Sequence, residues 1–269
     1  MLPRLPGKET LTMKVHVLGS FGGSTNVNRL TSFLIDDMLA LDAGCITHAL
    51  SLDEQVQVSD ILLSHSHLDH LATIPFLIDN QFGKVRHPLT LWGPKAVMQA
   101  LKDHLFNNVI WPDFTTIQDG DRFPVQLREI EPEQTFQIKH LTITSVRVNH
   151  IVECFGYLVT GTYGDRSSTL IYTADTGPTD RIWALANQAT NLAGIIVDCS
   201  FPNHMDLLAR ESGHMTAALL GEDLKKLKAS CPVFIYHPKP GYEETIWQEL
   251  QDLNLPFLHL ATQNSLLTL

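Results

Sequence analysis

The chain has little that would hold it in a membrane, tie it with disulfides or let it grip nucleic acid. No apolar run approaches the roughly 18 residues that a membrane span needs, and Met1-Leu2-Pro3-Arg4-Leu5-Pro6-Gly7 lacks the apolar stretch of a secretory signal. The four cysteines, Cys45, Cys154, Cys199 and Cys231, lie far apart without CxxC spacing, so buried free thiols are expected rather than a disulfide framework or a thiolate metal site. These absences point to a cytoplasmic protein. Basic charge is also scarce, with 19 Lys and Arg against 29 Asp and Glu and a net charge of -10. Such a balance opposes binding to a long nucleic acid, which works through many phosphate contacts. It leaves small anions open, because bound cations add local positive charge that this count omits. There is no low-complexity segment, no short repeat and no linker rich in Pro, Gly or Ser.

What is present is an average globular composition, 44% hydrophobic over 269 residues, enough to bury a large core. A single domain over 1–269 is expected, with 1–12 as a flexible extension. Strands are predicted at Val15–Gly19, Ser32–Asp36, Met38–Asp42, Asp60–Ser64 and Leu89–Gly93, and helices at Leu71–Asn80 and Ala96–Phe106. The second half repeats the rhythm. Strands at Leu141–Val148, Phe155–Thr160, Thr169–Thr173 and Ile195–Cys199 precede a helical run over Thr216–Ala229. Strands at Val233–Tyr236 and Phe257–Leu260 flank a last helix, and Gly161–Ser168 reads as an exposed hairpin loop. A β-rich start to each half with later helices argues for an α/β protein of two sheets packed face to face and covered outside by helices.

His65-Ser66-His67-Leu68-Asp69-His70 packs four nitrogen or oxygen ligands into six residues directly after an apolar strand. An extended or turning backbone lets His65 and His67 project together and sends Asp69 and His70 toward a second point, which a helix would not. A histidine cluster can also cap a helix, satisfy core polar groups or close a structural metal site. Structural zinc commonly takes thiolates at four closed positions, whereas this cluster mixes imidazole with carboxylate, as a site left open to water does. Later strand ends add His150 after Val146-Arg147-Val148, Asp175 after Ile171-Tyr172-Thr173 and His237 after Val233-Phe234-Ile235-Tyr236. Any one alone is more often a satisfied loop residue. Three of the right chemical types after the first cluster argue for a dinuclear centre.

With these residues the chain resembles the metallo-β-lactamase superfamily, whose hydrolases carry H-x-H-x-D-H followed by His, Asp and His on successive loops. Leu18 to Gly23, His104 to Phe114, Ser200-Phe201-Pro202-Asn203, Gly213-His214-Met215-Thr216 and His237-Pro238-Lys239-Pro240 are further similar to its class II cyclic-nucleotide phosphodiesterases. The chain departs from that pattern at Thr73 and at Ile78-Asp79, which bears on the helix under the site and hence on substrate preference. The resemblance implies an αββα sandwich of two mixed sheets. It puts His65, His67 and His150 on one divalent metal and Asp69, His70 and His237 on the other, with Asp175 bridging. Zinc suits the borderline nitrogen ligands, while two aspartates leave manganese or iron open.

The activity so implied is hydrolysis of 3′,5′-cyclic AMP or GMP to the 5′-nucleotide by a metal-bridging hydroxide, the metals stabilising attacking and leaving oxygens. Asp69 shares in that charge stabilisation. His214, in a loop like that of ribonuclease Z, is the candidate proton donor to the leaving 3′-oxygen, with a helix cap as the alternative. Asp198, at a strand end where relatives often carry glutamate, would orient and charge it. Asp42 reads either as a carboxylate behind a ligating imidazole or as a turn residue. Phe106, Asn108, Trp111 and Phe114 could wall a purine pocket or belong to the core, and Lys239 could meet phosphate or water. The other histidines, His16, His48, His87, His140, His204 and His259, read as structural. The expected partner is a small cyclic nucleotide, with a homodimer admitted. The competing readings are a ribonuclease Z-like RNA-processing phosphodiesterase, for which the chain lacks a long substrate arm and a basic surface, and a non-catalytic metal or nucleotide binder.

Overall fold

The computed structural model describes residues 12–269. The expected extension over 1–12 lies, except for Thr12, outside the described residues. The first strands are β1 (Lys14–Gly19), β2 (Ser32–Ile35), β3 (Leu39–Leu41), β4 (Asp60–Leu62), β5 (Leu89–Pro94) and β6 (Val125–Ile130). They are followed by β7 (Thr135–Ile138), β8 (Leu141–Arg147), β9 (Phe155–Tyr163), β10 (Arg166–Tyr172), β11 (Leu192–Asp198), β12 (Val233–Tyr236), β13 (Leu258–Leu260) and β14 (Leu266–Thr268). Among the described residues they form two seven-stranded sheets, in the orders β14-β1-β2-β3-β4-β5-β6 and β13-β12-β11-β10-β9-β8-β7. Both sheets are mixed. β1, β2 and β3 pair antiparallel, while β3 to β6 run parallel. β7 to β10 are antiparallel, and β10 to β13 parallel.

The period of two along each strand decides what lies on each face. In the first sheet Val15, Val17, Phe33, Ile35, Leu39, Leu41 and Leu62 point at the second sheet and share its core with Ile143, Val159, Leu170 and Ile196. Their neighbours Leu34, Ala40, Ile61, Leu89 and Leu91 point outward to a separate cluster. That cluster is capped by Ile74, Leu77 and Ile78 on one helix and Val97 and Met98 on another. Outside the second sheet, Ile182 and Trp183, Leu219 and Leu220, and Ile246 and Leu250 come from three further helices. Burial on both faces explains why β3 and β4 are apolar or buried at every position.

Some predicted boundaries move. Gly161–Ser168 is not a loop, since β9 runs through Tyr163 and β10 starts at Arg166, with Gly164 at φ 62 in the turn. Thr160 and Thr169 hydroxyls meet across this pair, and polar side chains on one face had disguised the strands. The predicted helix over Leu71–Asn80 is split into a single turn at Leu68–Leu71 and a helix at Ile74–Gln81, with Pro75 in the first turn of the latter. The helix over Ala96–Phe106 starts at Lys95 and passes into a wider π turn at Leu101–Leu105.

Candidate metal centre

The chemically active residues gather at one end of the sandwich, where the parallel strands finish. Asp42 follows β3, His65 follows β4, Asp175 follows β10, Asp198 ends β11 and His237 follows β12, and His150 lies three residues after β8. Asp69 and His70 sit on the single helical turn Leu68–Leu71, so the chain changes from extended to helical within the six-residue cluster and aims its ligands at two points. The turns are tight enough to strain the backbone. Asp42, Ala174 and His237 take positive φ of 56, 54 and 72°, at a cost on the order of 1–3 kcal/mol each for non-glycine residues. Two glycines make room: a Cβ on Gly44 would lie 2.1 Å from the Asp69 carbonyl oxygen, and one on Gly22 would lie 2.5 Å from His237 Cε1.

Seven side chains converge. His65, His67 and His150 form one group, Asp69, His70 and His237 another, and Asp175 joins His65 and His70 between them. Asp175 Oδ2 is 3.2 Å from both His70 Nε2 and His237 Nε2, and 3.8 Å from His65 Nε2. His237 Nε2 is 3.3 Å from Asp69 Oδ2 and 3.4 Å from His70 Nε2, and His150 Nε2 is 3.3 Å from His67 Nδ1.

The remaining ring nitrogens show where the protons are. His150 Nδ1 donates to the Gly213 carbonyl at 2.9 Å, and His70 Nδ1 donates to Asp42 Oδ2 at 2.7 Å. Ser64 Oγ donates to Asp42 Oδ2 and therefore accepts from His65 Nδ1 at 2.9 Å. Ser200 Oγ donates to Asp198 Oδ1 and accepts from His237 Nδ1, also at 2.9 Å. Each anchored imidazole thus turns a bare lone pair inward. His65 Nε2 is buried with no hydrogen-bond partner among the described residues. Burial, with the neighbouring His70, holds the His65 pKa well below its ordinary value. Burial opposes charge on His70 too, but Asp175 and Asp42 outweigh it and hold its pKa well above the usual value. A proton on His70 Nε2 answers one contact with Asp175 and leaves the lone pairs of His65, His150 and His237 facing other acceptors. Cations answer them all, and anchored imidazoles of this kind are how metal-binding histidines are oriented. The residues fit divalent metal.

His214 stands beside this cluster. Its Nδ1 donates to Asp198 Oδ2 at 2.7 Å, and its ring stacks on His237 with centroids 5.2 Å apart at 20°. Burial lowers its pKa, but Asp198 more than offsets that and raises it. The helix-cap alternative does not describe it, since Thr216 supplies the cap of the following helix. Lys239 Nζ reaches the Gly22 carbonyl at 2.9 Å and lies 4.0 Å from Asp69 Oδ2, so it stands at the edge of the site. Among the described residues no hydrogen bond or ring contact joins the other pocket candidates to these side chains. Phe106 and Phe114 are buried in the outer core, Phe114 against Phe82. Trp111 packs edge-on against Phe76, and the Asn108 side-chain oxygen accepts from the Asp113 amide. Sequence reasoning passed over Ser64, Ser200, Tyr172 and Tyr236. Adjacency to His65 was the available signal for Ser64, and the place two residues after Asp198 was the signal for Ser200.

The fold and this centre define a hydrolase of the metal-binding kind. The beta-lactamase superfamily domain matches residues 33–236, and the chain belongs to that superfamily. It is 26% identical to a probable 3′,5′-cyclic-nucleotide phosphodiesterase of Yersinia pestis, over 95% of this chain and 89% of that one. It is 25% identical to the probable metallo-hydrolase YhfI of Bacillus subtilis, over 88% and 92% of the two chains. Among solved structures, unliganded yeast PDE1 superposes with a TM-score of 0.79 at 18% identity, covering 96% of this chain and 100% of that one, a likeness of fold. Among the described residues no helix is long and apolar enough to cross a membrane.

Proposed function

We propose that this protein hydrolyses 3′,5′-cyclic nucleotides, cyclic AMP or cyclic GMP, to 5′-nucleotides. The observation that carries this reading is the Asp198–His214 pair beside the convergent acceptors, a proton donor held next to a place for cations. The near full-length similarity to a probable cyclic-nucleotide phosphodiesterase supports the substrate class. Two divalent ions, zinc first, held by His65, His67 and His150 and by Asp69, His70 and His237 with Asp175 between, would activate water and neutralise charge on the phosphoryl oxygens. The protein's own groups do the rest. His214 Nε2 gives its proton to the departing 3′-oxygen, and Asp198 Oδ2 keeps Nδ1 protonated and the ring aimed. Lys239, beside Asp69, offers its ammonium to a non-bridging phosphate oxygen. Asp69, partly exposed at the mouth, accepts a hydrogen bond from the attacking water. The reading takes the cytoplasm as the compartment, in keeping with four buried cysteines that are all free.

The test is product analysis with zinc- or manganese-loaded protein given cyclic AMP, cyclic GMP and a precursor tRNA in parallel. Steady release of the 5′-nucleotide is expected. Cleaved RNA with intact cyclic nucleotides would move the reading to an RNA-processing nuclease, and binding without turnover would make the protein a nucleotide or metal binder.

A further inference from the structure

Behind the ligands lie two buried phenols in contact, each hydrogen-bonded to a carboxylate, one on the second sheet and one on the first. Tyr236, the last residue of β12, donates its hydroxyl to Asp175 Oδ1 at 2.9 Å and meets the Tyr172 hydroxyl at 3.2 Å. Tyr172, the last residue of β10, donates to Asp42 Oδ2 at 2.6 Å, and that same oxygen accepts from His70 Nδ1 and Ser64 Oγ. Both phenols are fully buried. The Phe33 ring of the first sheet packs against each of them, at 5.8 Å from Tyr172 and 5.5 Å from Tyr236. We infer that Tyr236 and Tyr172 are positioning residues that hold Asp175 with a single oxygen facing the metal centre.

Left alone, a carboxylate between two cations can turn to offer one oxygen or both. Here Oδ1 is taken by a phenol, and Oδ2 alone faces His65, His70 and His237. The pair of touching phenols also joins the strained corners of the site. Asp42 and His237 themselves, and Ala174 next to Asp175, all have positive φ. Tyr172 binds the first, while Tyr236 precedes the second and binds the carboxylate that follows the third. Packed rings and hydroxyls therefore keep these corners from relaxing before a cation arrives. Tyr157 provides an internal contrast, since its buried hydroxyl donates to the Leu63 carbonyl and, among the described residues, hydrogen-bonds no carboxylate.

The inference rests on the metal-binding reading, and cobalt separates the two. Cobalt(II) is titrated into metal-free wild type, Tyr236→Phe, Tyr172→Phe and Tyr157→Phe while its visible absorption is followed, and urea unfolding of the metal-free proteins checks their folds. Tyr236→Phe is expected to bind cobalt about 10- to 100-fold more weakly and to shift the absorption band. Tyr172→Phe, which reaches Asp175 only through Tyr236, should do so less, and the double variant should fall short of the product of the two. Tyr157→Phe should leave band and affinity in place. If Tyr236→Phe does not fold, Tyr172→Phe carries the same test. An unchanged band and affinity in the tyrosine variants, with wild type loaded, would overturn the positioning role alone. Wild type that takes up no cobalt would overturn the reading of the site and this inference with it.

Discussion

Each end of the sandwich holds a knot of carboxylate, imidazole and phenol. The two knots differ in the sign of their hydrogen bonding. At the end away from the candidate centre, Asp36 in the β2–β3 turn accepts from the Lys14 amide on Oδ1 and from His140 and Tyr163 on Oδ2. Every acceptor there meets a donor, and the cluster ties the first sheet to the second as a closed latch. Burial together with Asp36 pushes the Tyr163 phenol up in pKa, which keeps it a donor. At the other end Asp42, Ser64, Ser200 and the Gly213 carbonyl use up the ring N–H groups of four histidines from behind, so the bare Nε2 of His237 is left facing the Asp175 and Asp69 carboxylates across 3.2 and 3.3 Å. Residue types alone do not separate a structural cluster from a metal site. The orientation of the donors does.

The comparison can be broken most forcefully at His214. Replacing it with Ala should lower turnover of cyclic nucleotide on the order of 10²- to 10⁴-fold, with metal content unchanged by elemental analysis. On a nitrophenyl phosphodiester the defect should shrink, because an aryl oxide leaves without a proton. An equal loss on both substrates would remove His214 from the role of acid. Asp42→Asn comes next. It takes away the acceptor shared by His70, Ser64 and Tyr172 and should weaken metal binding about 10- to 100-fold, read by competition with a chromophoric chelator. Asp36→Ala, at the closed end, should cost about 1–3 kcal/mol in urea unfolding while metal affinity and turnover stay at wild-type levels. A loss of metal in that variant would dissolve the distinction between the two ends. The smallest effect is expected at His16, which meets Asp37 at 3.5 Å on the surface. His16→Ala should change stability by less than about 1 kcal/mol.

How much of this could be read from the sequence follows from which interactions are local. The first ligand cluster was legible because His65 to His70 lie within one turn after an apolar strand, and His150, Asp175 and His237 because each ends a strand of strong apolar pattern. The split of the first cluster toward two points was legible in its turning backbone, but which later ligand joins which group, with Asp175 between them, needs both sheets, and only the resemblance anticipated that. β6, β7 and β14 were missed because they lie at sheet edges and expose much of their length, which dilutes the alternation. Tyr172 and Tyr236 read as ordinary strand residues, and nothing local reveals that their hydroxyls find carboxylates 130 and 61 residues away. The segment from Phe106 to Phe114 suggested a base pocket because aromatic residues serve both pockets and cores. Burial sends Phe106 and Phe114 to the core beneath the first sheet.

The central claim is that one end of the sandwich is built of acceptors that only cations can satisfy, and the other end is not. Metal stoichiometry tests it most directly. Zinc is restored to chelator-treated wild type, Asp175→Ala and Asp36→Ala, excess is removed, and bound metal is measured per chain. The account predicts two ions in wild type and in Asp36→Ala and fewer in Asp175→Ala, because Asp175 stands between the two groups of ligands. Wild type that holds no zinc, or an Asp175→Ala variant that holds as much as wild type, would contradict it.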